Sequence, residues 1–186
     1  VNSYGTNNPI CIFDPTGYFI TYIYGEDQKR AADINIRLLK KKYLVYSYLV
    51  KNVKAFQKVW NKKGLNSRGQ LANLDIVIIN LHGNYSSVSN VKFSGMVHRK
   101  IDTLLLLSCN AGHLDYINTN PATMFYTKNS IRQLVCCDGT HYRTTARNLW
   151  FTEIVHHEVV GDNIFRQGLK YDKKRKAKGF ILYNSK

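Results

Sequence analysis

The sequence predicts an α/β domain with a mainly parallel sheet flanked by helices on both faces. Three observations carry this. Residues 74–81 (LDIVIINL) and 101–107 (IDTLLLL) are apolar runs of strand length with little polar alternation, as expected of strands buried on both faces. Strand-like and helix-like patterns alternate along the chain, the arrangement that yields parallel strands with covering helices. Both runs end directly in reactive residues: His82-Gly83 after the first, and Ser108-Cys109-Asn110-Ala111-Gly112 after the second. In open α/β sheets chemistry collects at the carboxyl ends of the strands.

The lead-in is turn punctuation around a short apolar stretch. Asn8-Pro9 precede Ile10-Cys11-Ile12-Phe13, and Asp14-Pro15-Thr16-Gly17 follow. Residues 18–24 (YFITYIY) read as the first strand, closed by Gly25. Glu26 and Asp27 then place acidic groups where a helix dipole favours them. That helix runs from Asp27 to about Lys42, with Ala31, Ile34, Leu38 and Leu39 on one face and Lys40-Lys41-Lys42 in its last turn. Residues 43–50 (YLVYSYLV) read as a second strand. Val53, Phe56, Val59 and Trp60 mark a second amphipathic helix, stopped near Gly64.

Between the two core runs, residues 86–97 alternate weakly around Ser and Asn, which predicts a small hairpin over the strand ends. After Cys109 a loop leads into a helix reaching Asn129. Residues 131–137 (IRQLVCC) form another core strand, ending at Asp138-Gly139-Thr140. Residues 146–160 read as a helix, residues 163–178 as a basic helix, and residues 180–183 (FILY) as the last strand.

The 186 residues make one domain, residues 18–186, with residues 1–17 as an appended tail. A hydrophobic content of 44% is that of a globular chain. There is no apolar run of about 18 residues, so no membrane span is expected, and no segment reads as a signal peptide. A first residue of Val rather than Met predicts a piece of a longer protein. The net charge of +15, from 27 Lys and Arg against 12 Asp and Glu, favours acidic partners. No basic run is interleaved with aromatics as a base-stacking platform requires, and Lys173-Lys174-Arg175-Lys176 reads as a solvated helix face.

Four cysteines in a chain of this length do not make a disulfide scaffold. Cys136-Cys137 lie in an apolar strand and read as buried, inert thiols. No Cys-x-x-Cys occurs and no histidine spacing matches a metal motif, so neither a catalytic metal nor a cofactor is expected.

Cys109 is the candidate nucleophile. A thiol attacks only as a thiolate and needs a base or an electropositive setting. His82 is the candidate base, 27 residues earlier, an interval long enough for a return strand to bring the two ends together. Gly83 lets the backbone pass close to a substrate carbonyl and offers its N–H to an oxyanion. His113, on the same loop as Cys109, and His141, past the next strand end, are rival bases. His156-His157 read as surface or cap residues on a helix.

Three functions fit these residues. One is a cysteine endopeptidase acting on a protein or peptide substrate. The alternative is a basic nuclease acting on RNA or DNA through histidines and Lys/Arg. The third is a non-catalytic binding module on the same fold.

An apolar strand ending in Leu81-His82-Gly83 and a later one ending in Leu107-Ser108-Cys109 resemble the clan CD cysteine peptidases, which include caspases, gingipains, clostripain, legumain and separase. The likeness in element order covers about residues 18–139. It implies a caspase-like fold, with Cys109 as nucleophile, His82 as general base or acid, and the N–H groups of Gly83 and Cys109 as oxyanion donors. Within it, a substrate pocket would lie beside the strand ending at Asp138, near Ser108. Asp138 there would favour a basic residue before the scissile bond, although Asp138-Gly139 reads equally as a turn.

The segment Asn8-Pro9 through Asp14-Pro15-Thr16-Gly17 is similar to the closing motif of RHS-repeat polymorphic toxins. That resemblance implies the C-terminal effector of a larger toxin, secreted or delivered into a target cell. Its further partners would be the RHS-repeat shell of its own precursor and a cognate immunity protein.

Overall fold

The structure is a computed structural model that describes residues 19–62, 74–147, 153–160 and 179–184. The motif of residues 1–17, Cys11, the helix stop near Gly64 and the basic helix of residues 163–178 lie outside the described residues.

Six strands form one sheet: β1 (Phe19–Tyr24), β2 (Leu44–Leu49), β3 (Leu74–Asn80), β4 (Lys100–Leu106), β5 (Ser130–Asp138) and β8 (Gly179–Asn184). Their order is β2-β1-β3-β4-β5-β8. The first five are parallel, and β8 runs antiparallel to β5. Two more strands, β6 (Thr140–Arg147) and β7 (Glu153–Val160), pair antiparallel in a separate two-stranded sheet.

Helices cover both faces. On one face α1 (Lys29–Leu39) buries Ala32 and Ile36 against Ile20, Tyr22, Val45 and Ile78. On the other, α2 (Val53–Trp60) and α3 (Pro121–Lys128) bury Phe56, Trp60 and Phe125 against Val77, Ile79, Leu104, Leu106 and Leu134. The sheet is therefore dry on both sides, which explains why β3 and β4 read as unbroken apolar runs. The rings of Trp60 and Phe125, 5.6 Å apart, join α2 to α3 over the sheet.

Local chemistry fixes the helix ends. The Asn52 side chain caps α2 by accepting from Ala55 N at 2.9 Å. Asn120 caps α3 by accepting from Thr123 N at 2.8 Å, with Pro121 in the first turn. Arg99, buried, donates to the carbonyls of Trp60 and Lys62 at the end of α2. Burial pushes its guanidinium pKa down, and the helix C-terminus supplies the compensating negative dipole.

Three expectations are corrected. The described residues of the span 146–160 are not helical: Ala146 and Arg147 end β6 and Glu153–Val160 is β7, with Arg147 paired to Glu153 and His141 to Val159. The β-branched residues Ile154, Val155, Val159 and Val160 of β7 suit a pleated surface. His156 and His157 accordingly sit on a strand.

Residues 86–97 form no hairpin beyond a single bridge between Gly83 and Val88. Side chains of α2 satisfy the segment's backbone instead. Gln57 donates to the carbonyls of Lys92 and Ser94, Asn61 to that of Gly95, and Trp60 to that of Val97.

The first helix is shorter than expected. Glu26–Gln28 is a 3-10 turn, and α1 stops at Leu39. Its most buried line is Ala32, Asn35 and Ile36, one residue round from the expected face, because Asn35 reaches the Tyr22 hydroxyl at 3.2 Å.

Candidate active site

The β3–β4 pairing sets the site. Leu74 pairs with Ile101 and Ile79 with Leu106, a constant offset of 27. His82 and Cys109 stand at the same offset in sequence, so both follow the paired strands onto the same carboxyl rim. The ladder extends one step beyond the strands, since Leu107 N donates to Ile79 O at 2.8 Å.

The two ends touch. A Cβ on Gly83 would lie 2.8 Å from Ser108 Cβ and 3.2 Å from Cys109 O. Only glycine permits this approach without displacing the Ser108-Cys109 backbone. Past Gly83 the chain turns tightly: Asn84 Oδ1 accepts from Ser86 N and Ser87 N, both at 2.8 Å. Tyr85 then stacks on Tyr116 with ring centroids 4.3 Å apart, which ties the loop after β3 to the loop after β4.

His82 is open to solvent, its side chain 66% exposed. Its Nε2 contacts the Asp27 carboxylate and lies 3.3 Å from Gln28 Nε2. Both partners come from the 3-10 turn after β1. Gly25 makes room for them, because a Cβ there would lie 2.8 Å from Asp27 Oδ1 and 3.3 Å from Leu81 Cδ2. Asp27, read from the sequence only as a helix-start acid, is therefore the imidazole's neighbour.

Cys109 is half-buried. Its Sγ accepts from His141 N at 3.4 Å and lies 3.9 Å from His141 O. The rival base His141 thus meets the sulfur through its backbone. The side chains of His82 and Cys109 do not hydrogen-bond to each other. Among the described residues no acceptor takes the backbone N–H of Gly83 or of Cys109, the two expected oxyanion donors.

The loop after Cys109 is fixed by its backbone. Asn110 N donates to Gly139 O at 2.7 Å, Gly112 N to Cys137 O at 2.9 Å, and Ala122 N to Ala111 O at 2.9 Å. Gly112 lies so close to β5 that a Cβ would fall 2.2 Å from Cys136 Sγ. Cys136 and Cys137 are fully buried, and burial raises the Cys136 thiol pKa first and foremost, which keeps it protonated and unreactive.

His113, its side chain 4% exposed, accepts from Asp115 N at 3.2 Å and lies 3.9 Å from Asp138 Oδ1. Asp138 is equally buried and accepts from Leu114 N at 3.2 Å. Its carboxylate is engaged within this loop, and Gly139 (φ 147°) turns the chain from β5 into β6.

Ser108 and Asn110 are both fully buried, and among the described residues neither the Ser108 hydroxyl nor either end of the Asn110 carboxamide has a partner. Such groups cost roughly 1–3 kcal/mol each when left unpaired. Sequence reasoning passed over Asn110; its position directly after the candidate nucleophile was the available signal.

Among the described residues no group of three or more His, Cys, Asp or Glu side chains is placed to hold a metal, and no helix is long and apolar enough to cross a membrane. No family model, curated protein or solved structure matches this chain.

Proposed function

We propose that the chain is a cysteine endopeptidase domain of caspase-like type, with Cys109 as nucleophile and His82 as general base and acid. The observation that carries this reading is the register: two adjacent parallel strands deliver His82-Gly83 and Ser108-Cys109 to one rim in contact with each other. A mainly parallel six-stranded sheet with helices on both faces is compatible with that fold.

In the mechanism, His82 takes the Cys109 proton and Sγ bonds to the substrate carbonyl carbon. The oxygen gains the negative charge and is met by the free N–H groups of Gly83 and Cys109. The C–N bond then breaks as His82 returns the proton to the leaving amine. Water, deprotonated by His82, attacks the thioester, releases the acid and restores the thiol. Asp27 holds the imidazole from its Nε2 side. Bringing Nδ1 to the sulfur needs a rotation of an exposed side chain, a tightening expected when substrate binds.

The lead-in resemblance supports a setting at the C-terminal end of an RHS-repeat toxin, delivered into a target cell. The test is to express the chain, Cys109→Ala and His82→Ala in a susceptible cell and map new protein N-termini. Cleavages that vanish in both variants are expected. Toxicity without new N-termini, unchanged by Cys109→Ala and steeply salt-dependent in vitro, would refute the peptidase and favour the nuclease suggested by the +15 charge.

A further inference from the structure

Asn110 follows the nucleophile directly and takes the left-handed conformation, φ 53°. Its backbone is fully engaged: N–H donates to Gly139 O at 2.7 Å and C=O accepts from His113 N at 3.1 Å. Its side chain is fully buried, and among the described residues neither Nδ2 nor Oδ1 is paired. These facts conflict if Asn110 is only a turn residue. Glycine adopts the left-handed conformation without a Cβ penalty and would bury no unpaired amide. The turn accounts for the backbone and leaves the carboxamide unexplained.

We infer that the Asn110 carboxamide is a catalytic group of the proposed site, kept unpaired in the free chain so that it can pair with the peptide unit under attack. The inference rests on the peptidase reading. A group with a donor end and an acceptor end, both unpaired, matches a ligand offering the complement, and a peptide amide does so. Nδ2 donates to the carbonyl oxygen as charge develops there, alongside the N–H groups of Gly83 and Cys109, and Oδ1 accepts from a substrate N–H. Burial makes a fixed donor of this kind effective, because little solvent competes with it.

One stretch, Gly139 to His141, contacts both Asn110 and Cys109. Gly139 O sits on the Asn110 N–H, and His141 N sits on Cys109 Sγ. Substrate entering at Cys109 therefore meets the same stretch that holds the Asn110 backbone.

The test uses the full chain with Asn110→Gly, which keeps the turn, and Asn110→Asp, which keeps the shape and removes the donor. Three quantities are measured: the denaturation midpoint, the rate at which iodoacetamide alkylates Cys109, and kcat and KM on a peptide spanning a mapped cut site. Asn110→Gly is expected to have an unchanged or higher midpoint and a wild-type alkylation rate, with kcat about 100-fold lower, the size of a lost oxyanion donor. Asn110→Asp should lose kcat similarly.

Full kcat in either variant would overturn the inference. So would a lowered midpoint with unchanged kcat, the mark of a carboxamide bridged by internal water. So would alkylation falling in step with kcat, which would mean that Asn110 only positions the sulfur. A wild-type chain with no Cys109-dependent cleavage would overturn the peptidase reading and this inference together, whereas equal cleavage by wild type and Asn110→Gly would overturn this inference alone.

Discussion

At the end of β3 the chain runs out into solvent, and among the described residues the His82 imidazole contacts the exposed side chains of Asp27 and Gln28. At the end of β4 it stays inside: Ser108, Asn110, Ala111 and His113 are all buried, and backbone bonds to β5 and α3 fix the loop. The difference follows from what lies beyond each strand. β3 is followed by a tight turn of polar residues, whereas the loop after β4 must pack under β5 and lead into α3. On the proposed reading the nucleophile is the fixed element and the imidazole the adjustable one.

Breaking the buried side should have the largest effect. Gly112→Ala places a methyl group 2.2 Å from the Cys136 sulfur, and neither the loop nor β5 has room to yield. A loss of about 3 kcal/mol or more in folding stability is expected, at the upper end of overpacking costs. Denaturant titration measures it, and a change below about 1 kcal/mol would mean that the loop is as adaptable as the β3 end.

The exposed side should respond in function rather than in stability. Asp27→Asn weakens an exposed carboxylate–imidazole contact contributing roughly 0.5 kcal/mol, so the melting temperature should hardly move. Turnover should fall about tenfold through a misplaced base, and Asp27→Glu should recover part of it. Unaltered turnover in Asp27→Asn would remove Asp27 from the site.

The smallest effect is expected at the opposite, amino-terminal end of the sheet, where Arg132 forks onto Asp102 with Nη2 to Oδ2 at 2.9 Å. The Arg132 hydrogen bond, first among the causes, holds the Asp102 carboxyl below its usual range. A carboxylate lowered in the folded state adds stability above its unfolded value, near pH 4, and loses it as pH falls through the lowered folded value. Arg132→Ala should therefore cost about 0.5 kcal/mol at neutral pH and nothing in strong acid, because the pair is largely exposed. Stability curves at two pH values check this, and turnover should stay at the wild-type level.

Much of the fold was legible because its causes are local or compositional. β3, β4 and β5 announce themselves since a strand buried on both faces must be apolar throughout. α2 announces itself through Val53, Phe56, Val59 and Trp60 at helical spacing. The misreading of residues 146–160 has a physical origin: alternation there is weak, and the pattern was read across the connection between two strands. The segment at 86–97 looked like a hairpin because its polar alternation is real, but its backbone partners lie on α2, more than 30 residues away in sequence.

The candidate site divides in the same way. His82, Gly83, Ser108 and Cys109 were visible because they sit directly after unmistakable strands. Asp27 and Asn110 were not, since an acid at a helix start and an Asn in a turn are ordinary in sequence. The sequence by itself determined which residues end the core strands, through burial and local turn chemistry. Only the tertiary structure decided that β3 and β4 pair at an offset of 27, that Asp27 reaches His82, that His141 backbone meets the Cys109 sulfur, and that the Asn110 carboxamide is buried unpaired. Each of these depends on the register and packing of segments far apart in the chain, which no local pattern encodes.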